Sequence, residues 1–82
     1  MFAKKKMSQV TIISKRLVPR MQTGARGWYT SYGFVIVQFD DGEQREFEVP
    51  KKEIYELLLI NYTGILTFKR YNVLDFERNF DL

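Results

Sequence analysis

The sequence of 82 residues contains no cysteine and no histidine. Without cysteine it can form neither a disulfide framework nor a thiolate metal site. Histidine is the commonest general base and a frequent zinc ligand, so its absence argues against most catalytic and metal sites. No nucleophile motif and no phosphate-binding glycine loop is present. We therefore predict no catalytic, cofactor-binding or metal-binding residues and expect that the protein is not an enzyme.

Long apolar runs are missing as well. The longest is LLLI at residues 57–60, whereas a helix that crosses a bilayer needs about 20 apolar residues. The opening MFAKKK carries positive charge, but the apolar region of a signal peptide does not follow it. These features predict a soluble chain with no transmembrane segment and nothing that directs export.

Acidic residues are absent from the first part of the chain. Residues 1–33 carry seven Lys and Arg and no Asp or Glu, whereas residues 34–82 carry six basic and all ten acidic residues. Such asymmetry can mark a surface for nucleic acid or for an anionic membrane, although strand pairing can also leave a mixed surface. The lysines at 4–6 form a shorter cluster than the roughly four to eight basic residues that bind lipids. We interpret them as a solvated or juxtamembrane tail.

Hydrophobic and aromatic residues are plentiful, at 45% and 16% of the chain. A chain of this length forms one domain and buries only about 60% of its unfolded surface, so its core must be dense. The composition can supply such a core, and we expect the chain to fold. We predict a basic N-terminal tail at residues 1–8, a single domain at 9–79 and a C-terminal tail at 80–82.

The first half of the domain shows the two-residue alternation of β-strands. Residues 8–18 predict a first strand, and residues 19–27 predict a long loop that begins at a proline. A second strand is predicted from Trp28 to Phe39, with a bend or bulge at Gly33. Its predicted core-facing residues are Val35, Val37 and Phe39.

A tight hairpin is predicted after the second strand. Asp41 and Gly42 favour a turn, because glycine accepts a positive φ freely and aspartate tolerates it. The returning strand alternates cleanly, so that Phe47 and Val49 face the core. Gln44, Glu46 and Glu48 then face water.

Paired carboxylates on one face raise the question of acid–base chemistry. Glu46 and Glu48 share a face, and such pairs can act catalytically when a cleft of low dielectric separates their pKa values. The alternation instead predicts that both are solvated, and the same holds for Asp75 and Glu77 in the last strand. We interpret all four as surface residues.

The periodicity changes after the hairpin. Pro50 at the first helical position, with Ile54, Leu57 and Leu58 at spacings of three and four, predicts a helix of two or three turns with one buried stripe. Asn61 is predicted to stop it. Two further strands follow. In the first of them Leu66 and Phe68 share one face, and the predicted turn between the two strands is Tyr71 and Asn72.

The order β-β-β-α-β-β predicts a mainly β protein. Five strands in so short a chain would leave exposed edges, and closure into a barrel removes them. We therefore predict a small five-stranded barrel, OB-like or SH3-like, with one short helix between strands three and four. An open, strongly twisted sheet with a helix packed on one face is the alternative.

The order of several short motifs resembles a known family. The segments are KRLV at 15–18, VQFDDGEQREFEVP at 37–50, EIYELLLINYTGILTFKR at 53–70 and FER at 76–78. Together they resemble the small, uncharacterised bacterial proteins of domain-of-unknown-function family two thousand five hundred, over roughly residues 9–79. The matching residues are Phe39, Gly42, Gly64, Leu66, Phe68, Phe76 and Arg78. The family usually has Gly-Asp just before the second glycine, where this chain has Asn61, Tyr62 and Thr63.

The resemblance implies a membrane-associated protein, because members of the family typically carry an N-terminal transmembrane segment ahead of this domain. This chain is then interpreted either as a soluble relative or as a fragment whose anchor precedes Met1. With an anchor, the lysines at 4–6 would lie beside the membrane and favour its cytoplasmic side. We expect a location in the cytoplasm or on the cytoplasmic face of the membrane. The family has no assigned activity, so the resemblance implies none.

Two functions remain open. The first is a protein-interaction or structural module with a protein or peptide partner, because small barrels bind extended peptides along an edge or a groove. The alternative is a nucleic-acid-binding barrel, in which basic residues follow the phosphates and aromatic rings stack on bases. Most of the aromatic rings are, however, also expected in the core. The candidate binding surface consists of Arg16, Arg20, Arg26, Trp28, Tyr29, Tyr32, Lys69, Arg70 and Tyr71.

Overall fold

The computed structural model describes residues 4–17 and 32–79. Its elements follow the predicted order, with one short helix between the third and fourth strands. They are β1 Lys6–Leu17, β2 Gly33–Phe39, β3 Gln44–Val49, α1 Lys52–Leu57, β4 Thr63–Lys69 and β5 Asn72–Arg78. The predicted loop at 19–27 and the start of the predicted second strand lie outside the described residues.

The strands close into a barrel in the order β1-β2-β3-β5-β4. β1 makes this closure possible because residues 6–11 pair with β4, whereas residues 10–17 pair with β2. A bulge between Ile12 and Ser14 bends β1 soon after the point where it gains its second partner. The prediction of a small five-stranded barrel is therefore confirmed, and the open sheet is not formed.

The seam between β3 and β5 is the narrowest in the barrel. These strands run parallel and share a single paired position, Glu48 with Asn72. Beside it, the Glu48 N–H donates to the Tyr71 carbonyl at 2.6 Å. Every other neighbouring pair of strands is antiparallel with at least six paired positions. Four of the five strand pairings are therefore extensive, and the pairing of β3 with β5 is minimal.

The core fills the barrel, and Val35, Val37, Phe47 and Val49 belong to it as the alternation predicted. The buried residues are Val10, Ile12, Val35, Val37, Phe47, Val49, Leu58, Leu66, Phe68, Val73 and Phe76. Phe39 was predicted to join them, but it is only half-buried. It lies at the end of the barrel, where its ring meets those of Phe47 and Phe68 edge to face at 6.3 and 6.4 Å. Phe39 therefore closes the rim of the core.

The hairpin between β2 and β3 is confirmed, whereas the bend predicted at Gly33 involves residues 28–31, which lie outside the described residues. Gly42 has a φ of 92°, and the Glu43 N–H donates to Asp41 Oδ1 at 2.9 Å. β2 itself begins at Gly33. A Cβ at this position would lie 2.6 Å from both the Arg16 carbonyl and the Tyr55 ring. Glycine at position 33 therefore allows the Arg16 carbonyl and the Tyr55 ring to pack closely against the backbone of β2.

The helix differs from the prediction in length and in its buried face. It spans six residues and starts two positions after Pro50. Ile54 packs against the core, and Leu58 is fully buried, but Leu57 is 49% exposed. The chain leaves the helical conformation at Leu58. Leu58 follows Ile54 by four residues and is buried on the same side, as predicted, while Leu57 stays outside. Asn61, with a φ of 75°, lies in the turn that follows and does not end the helix.

The turn between β4 and β5 lies one residue earlier than predicted. Lys69 pairs with Asn72, so the turn consists of Arg70 and Tyr71. Arg70 adopts a left-handed conformation, with a φ of 57°. The two turn residues belong to the candidate surface, so the register of this hairpin determines where their side chains point.

Candidate functional site

The predicted candidate surface is divided among different parts of the molecule. Four of its residues lie outside the described residues, namely Arg20, Arg26, Trp28 and Tyr29. Arg16 lies on the outside of β1, and Tyr32 packs against the helix. Lys69 is exposed near the end of β4, whereas Arg70 and Tyr71 line a cleft at one end of the barrel. The structure therefore brings together only part of the predicted set.

Tyr32 belongs to a group of contacts that hold α1 on the barrel. Its ring meets the Tyr55 ring edge to face, with centroids 5.3 Å apart. Lys15 Nζ lies 4.2 Å from the centroid of the Tyr55 ring and donates to the Tyr55 carbonyl at 3.0 Å. Burial lowers the pKa of Lys15 from its usual 10.5, although the charge of Glu56 opposes this shift. Burial raises the pKa of Tyr55 from its usual 10.0, and Tyr32 adds a smaller effect in the same direction. These side chains serve packing.

The outward side chains of β1, β2 and β3 form one continuous surface, which we call the outer face. Across the strands, Phe34 lies opposite both Arg16 and Glu48, and Ile36 lies opposite both Ser14 and Glu46. Directly opposed residues on antiparallel strands point to the same side of a sheet. The outer face therefore consists of Ser14, Arg16, Phe34, Ile36, Glu46 and Glu48.

The charge of Arg16 is balanced within the outer face. Its guanidinium stacks over Phe34 at 4.4 Å from the ring centroid and pairs with Glu46 at 3.3 Å. The two paired side chains are 60% and 44% exposed, so the pair is mostly solvated and adds little stability. Glu48 supplies a second carboxylate, and the outer face thus carries two negative charges and one positive charge. Such a surface does not favour phosphate.

A second surface lies at the open end of the barrel, where the start of β1 approaches β3 and the turn between β4 and β5. It is a cleft of about 440 Å³, which we call the basic cleft, lined by Lys4, Lys6, Arg45, Phe68, Arg70 and Tyr71. Its four cations are all exposed. Within residues 4–17 and 32–79, the ion pairs formed do not include Lys4, Lys6 or Arg70. The cleft therefore combines concentrated positive charge with aromatic rings.

Arg45 is held in the cleft by aromatic rings. Its guanidinium carbon lies 5.4 Å from the centroid of Phe39 and 5.9 Å from that of Phe47. Its contact with Glu43 is long, at 3.9 Å, and both side chains are substantially exposed. These contacts place the guanidinium beside both rings, and the Arg45 side chain remains exposed at the cleft.

The turn of Arg70 and Tyr71 is fixed by its backbone. The Tyr71 carbonyl accepts the hydrogen bond from the Glu48 N–H, which ties the turn to β3. Tyr71 is 65% exposed, although it is an aromatic residue. The turn thus presents one cation and one exposed ring to the basic cleft.

An acidic rim adjoins the basic cleft. A neighbouring cleft of about 470 Å³ shares Lys6, Arg45 and Phe68 with it, and its opposite side is formed by the turn between β2 and β3. The carboxylates on that side are Asp40, Asp41 and Glu43. The acidic rim therefore borders the basic cleft at Lys6 and Arg45, whereas Lys4, Arg70 and Tyr71 line the basic cleft alone.

Four lining residues of the basic cleft were absent from the predicted surface, namely Lys4, Lys6, Arg45 and Phe68. One signal for Arg45 was present in the sequence, because its alternation with Phe47 and Val49 places it in the inward phase of β3. A charged residue in that phase indicates a barrel end. No comparable signal marks Lys4 or Lys6, since their position depends on the pairing of β1 with β4.

The described residues hold no group of three or more acidic side chains arranged to bind a metal ion. Over the same residues, no helix has the length and apolar character required to span a membrane. Comparisons of the chain with known protein families, with curated proteins and with solved structures found no match.

Proposed function

We propose that this domain is a non-catalytic protein-interaction module that binds an extended, basic segment of a partner protein on its outer face. The observation that carries the proposal is the strip of Phe34 and Ile36, which runs beside the carboxylates of Glu46 and Glu48. Apolar side chains offer contact area to an extended peptide, and neighbouring carboxylates select lysine or arginine in it.

The barrel topology supports this choice of surface. A five-stranded barrel with the strand order β1-β2-β3-β5-β4 and a helix after β3 has the arrangement of an OB fold. OB folds bind oligonucleotides and oligosaccharides on the face of strands two and three. In this chain the same face carries two carboxylates, which would repel the phosphates of an oligonucleotide. A basic peptide is the better complement.

The cellular setting of the module is proposed from the sequence resemblance alone. Domain-of-unknown-function family two thousand five hundred suggests a bacterial, membrane-associated protein with this domain on the cytoplasmic side. Several residues that carry the resemblance have structural roles here. Leu66, Phe68 and Phe76 lie in the core, and a side chain at Gly64 would collide with the Glu77 carbonyl of β5.

An NMR titration tests the proposal. The probe is a synthetic peptide of alternating lysine and valine, and the comparison peptide has glutamate in place of each lysine. We expect the amides of Phe34, Ile36 and Glu46 to shift with the basic peptide and to stay in place with the acidic one. Equal binding of both peptides would contradict the proposal that the outer face binds a basic segment. Chemical-shift changes confined to other surfaces would contradict it as well.

Two variants with the same chemical change sharpen this test. Glu46→Gln removes a carboxylate from the outer face, and Glu77→Gln removes an exposed one from β5. Neither should change the free energy of unfolding by more than about 0.5 kcal/mol. We expect Glu46→Gln to weaken binding of the basic peptide and Glu77→Gln to leave it unchanged. If both variants bind as wild type does, the outer face is not the binding surface.

A further inference from the structure

We propose that the basic cleft binds the backbone of a single-stranded nucleic acid, with one base stacked on Tyr71. This site is separate from the outer face and shares no residue with it. The ligand is also of the opposite charge to the basic peptide of the proposed function. Each site can therefore be tested, and can fail, without the other.

The convergence of cations is the first support. Lys4 and Lys6 come from the start of the chain, Arg45 from β3 and Arg70 from the turn between β4 and β5. Like charges repel, so a fold gains nothing by gathering them unless an anion joins them. Among the described residues, Arg45 is the only one of the four with a paired carboxylate, and that contact is 3.9 Å long. Lys4 and Arg70 do not line the neighbouring cleft that holds the carboxylates, and a phosphate backbone would supply negative charge to them.

The aromatic lining identifies the anion as a nucleic acid. Tyr71 is 65% exposed beside the cations, and Phe68 lies beneath them almost fully buried. Grooves that bind single strands combine Lys and Arg along the backbone with rings on which bases stack. The volume of about 440 Å³ lies within the range of about 300 to 1,000 Å³ typical of small-ligand sites. It suits one nucleotide, with the rest of the strand running past.

The backbone of Arg70 adds independent support. Its φ of 57° lies in the left-handed region, where Gly, Asn and Asp are the usual residues of a hairpin turn. An arginine there is strained, and strained residues concentrate at functional sites. Among the described residues, the side chain of Arg70 forms no ion pair and no contact with an aromatic ring that would explain the choice. A role in ligand binding does explain it.

The acidic rim distinguishes a strand from a membrane surface. Asp40, Asp41 and Glu43 stand across from the basic cleft at the same end of the barrel. A flat anionic membrane approaching this end would meet those carboxylates together with the cations. A narrow strand can instead lie along Lys4, Arg70 and Tyr71, which do not line the cleft with the carboxylates. The charge pattern therefore fits a linear anion.

The test is fluorescence anisotropy with a labelled oligothymidylate of about ten nucleotides, within the site size of a single barrel domain. The chain is titrated at about 50 and 200 mM salt. Four phosphate contacts predict a slope of log K against log salt of about −2.8, which is a loss of affinity of about fiftyfold between these salt concentrations. Parallel titrations use inorganic phosphate and vesicles that contain phosphatidylserine.

Arg70→Asn separates binding from folding. Asparagine suits the left-handed turn, so we expect a melting temperature equal to or above that of wild type. The variant should nevertheless bind the oligonucleotide more weakly, and its salt slope should decrease by about 0.7. The matched control is Lys69→Gln, which removes a positive charge from the neighbouring residue outside the cleft lining. We expect its affinity to stay close to wild type.

Tyr71 tests the stacking. Tyr71→Ala should lose at least about fivefold in affinity, whereas Tyr71→Phe, which keeps the ring, should bind as wild type does. The proposal is overturned if Arg70→Asn and Lys69→Gln weaken binding equally, or if Tyr71→Ala binds normally. It is also overturned if inorganic phosphate binds as tightly as the oligonucleotide, or if only the vesicles bind.

Discussion

Single side chains decide how α1 is attached to the barrel. The Tyr55 ring fills the space left by Gly33, where a Cβ would lie 2.6 Å from it. Lys15 lies over the same ring and donates to the Tyr55 carbonyl. Tyr32 adds an edge contact. Because burial costs the charged form of each group, it lowers the pKa of Lys15 and raises that of Tyr55.

These two shifts have opposite effects on stability at alkaline pH. Between the lowered pKa of Lys15 in the folded chain and its usual value of 10.5, the unfolded chain binds more protons at this lysine than the folded chain does. The free energy of unfolding therefore rises with pH in this interval. For Tyr55 the folded chain holds the proton longer, so stability falls as pH rises above 10.0. Tyr55→Phe keeps the ring and removes the second effect.

The test compares the single variant Tyr55→Phe with the double variant that also carries Lys15→Met. We predict that the free energy of unfolding of the single variant, minus that of the double variant, increases as pH rises toward 10.5. The comparison cancels contributions that both proteins share. Urea unfolding followed by circular dichroism between neutral pH and pH of about 10.5 provides the measurement. A difference that is constant or that falls with pH would show that Lys15 is not desolvated.

At the scale of elements, the helix depends on the residue that follows it. None of the residues of α1 is buried. Ile54 and Tyr55 pack partly against the core, and Leu58 enters it completely just after the helix ends. A helix of six residues is too short to be stable alone. Its position therefore comes from Leu58 and from the contacts of Tyr55.

Two adjacent leucines allow a matched test. Leu58→Ala should reduce the free energy of unfolding by about 2–5 kcal/mol, because it leaves a cavity in the core. Leu57→Ala, at a side chain that is 49% exposed, should change it by no more than about 0.5 kcal/mol. Urea denaturation of both variants measures the difference. Similar losses for the two would instead support a helix with Leu57 on its buried face.

At the scale of the whole molecule, closure of the barrel is uneven. β1 is shared between two neighbours and joins the two halves of the sheet. The parallel seam of β3 and β5 depends on one paired position and on the hydrogen bond from the Glu48 N–H to Tyr71. Regions with few hydrogen bonds open before the rest of a structure. The barrel should therefore open first at this seam.

Native-state hydrogen exchange measures that opening. We predict that the Glu48 amide exchanges through a local opening at least about 1 kcal/mol smaller in free energy than that of the hydrogen-bonded amides between β1 and β2. The free energy of global unfolding from urea denaturation sets the upper limit. Equal protection of Glu48 and of the amides between β1 and β2 would mean that the barrel opens as one unit.

Much of the fold could be predicted from the sequence, because alternation and turn residues act locally. Phe47 and Val49 face the core, and Asp41 and Gly42 form the turn, as their pattern indicates. In the helix, the burial of Leu58 follows the predicted spacing, whereas Leu57 is exposed and the helix is shorter than predicted. The residues of the predicted binding surface do not form one surface, because Arg16 lies on the outer face and Arg70 lines the basic cleft.

By itself, the sequence determined which side chains could form a core and excluded cysteine and histidine chemistry. Both follow from composition and from a period of two, which need no knowledge of distant contacts. The tertiary structure decided which charges become neighbours. Lys4, Arg45 and Arg70 lie near one another because β1 pairs with β4 and the turn between β4 and β5 is hydrogen-bonded to β3. Arg16 contacts Glu46 because of the register of β1, β2 and β3. A local pattern cannot specify such pairings, because strand register is set by long-range packing.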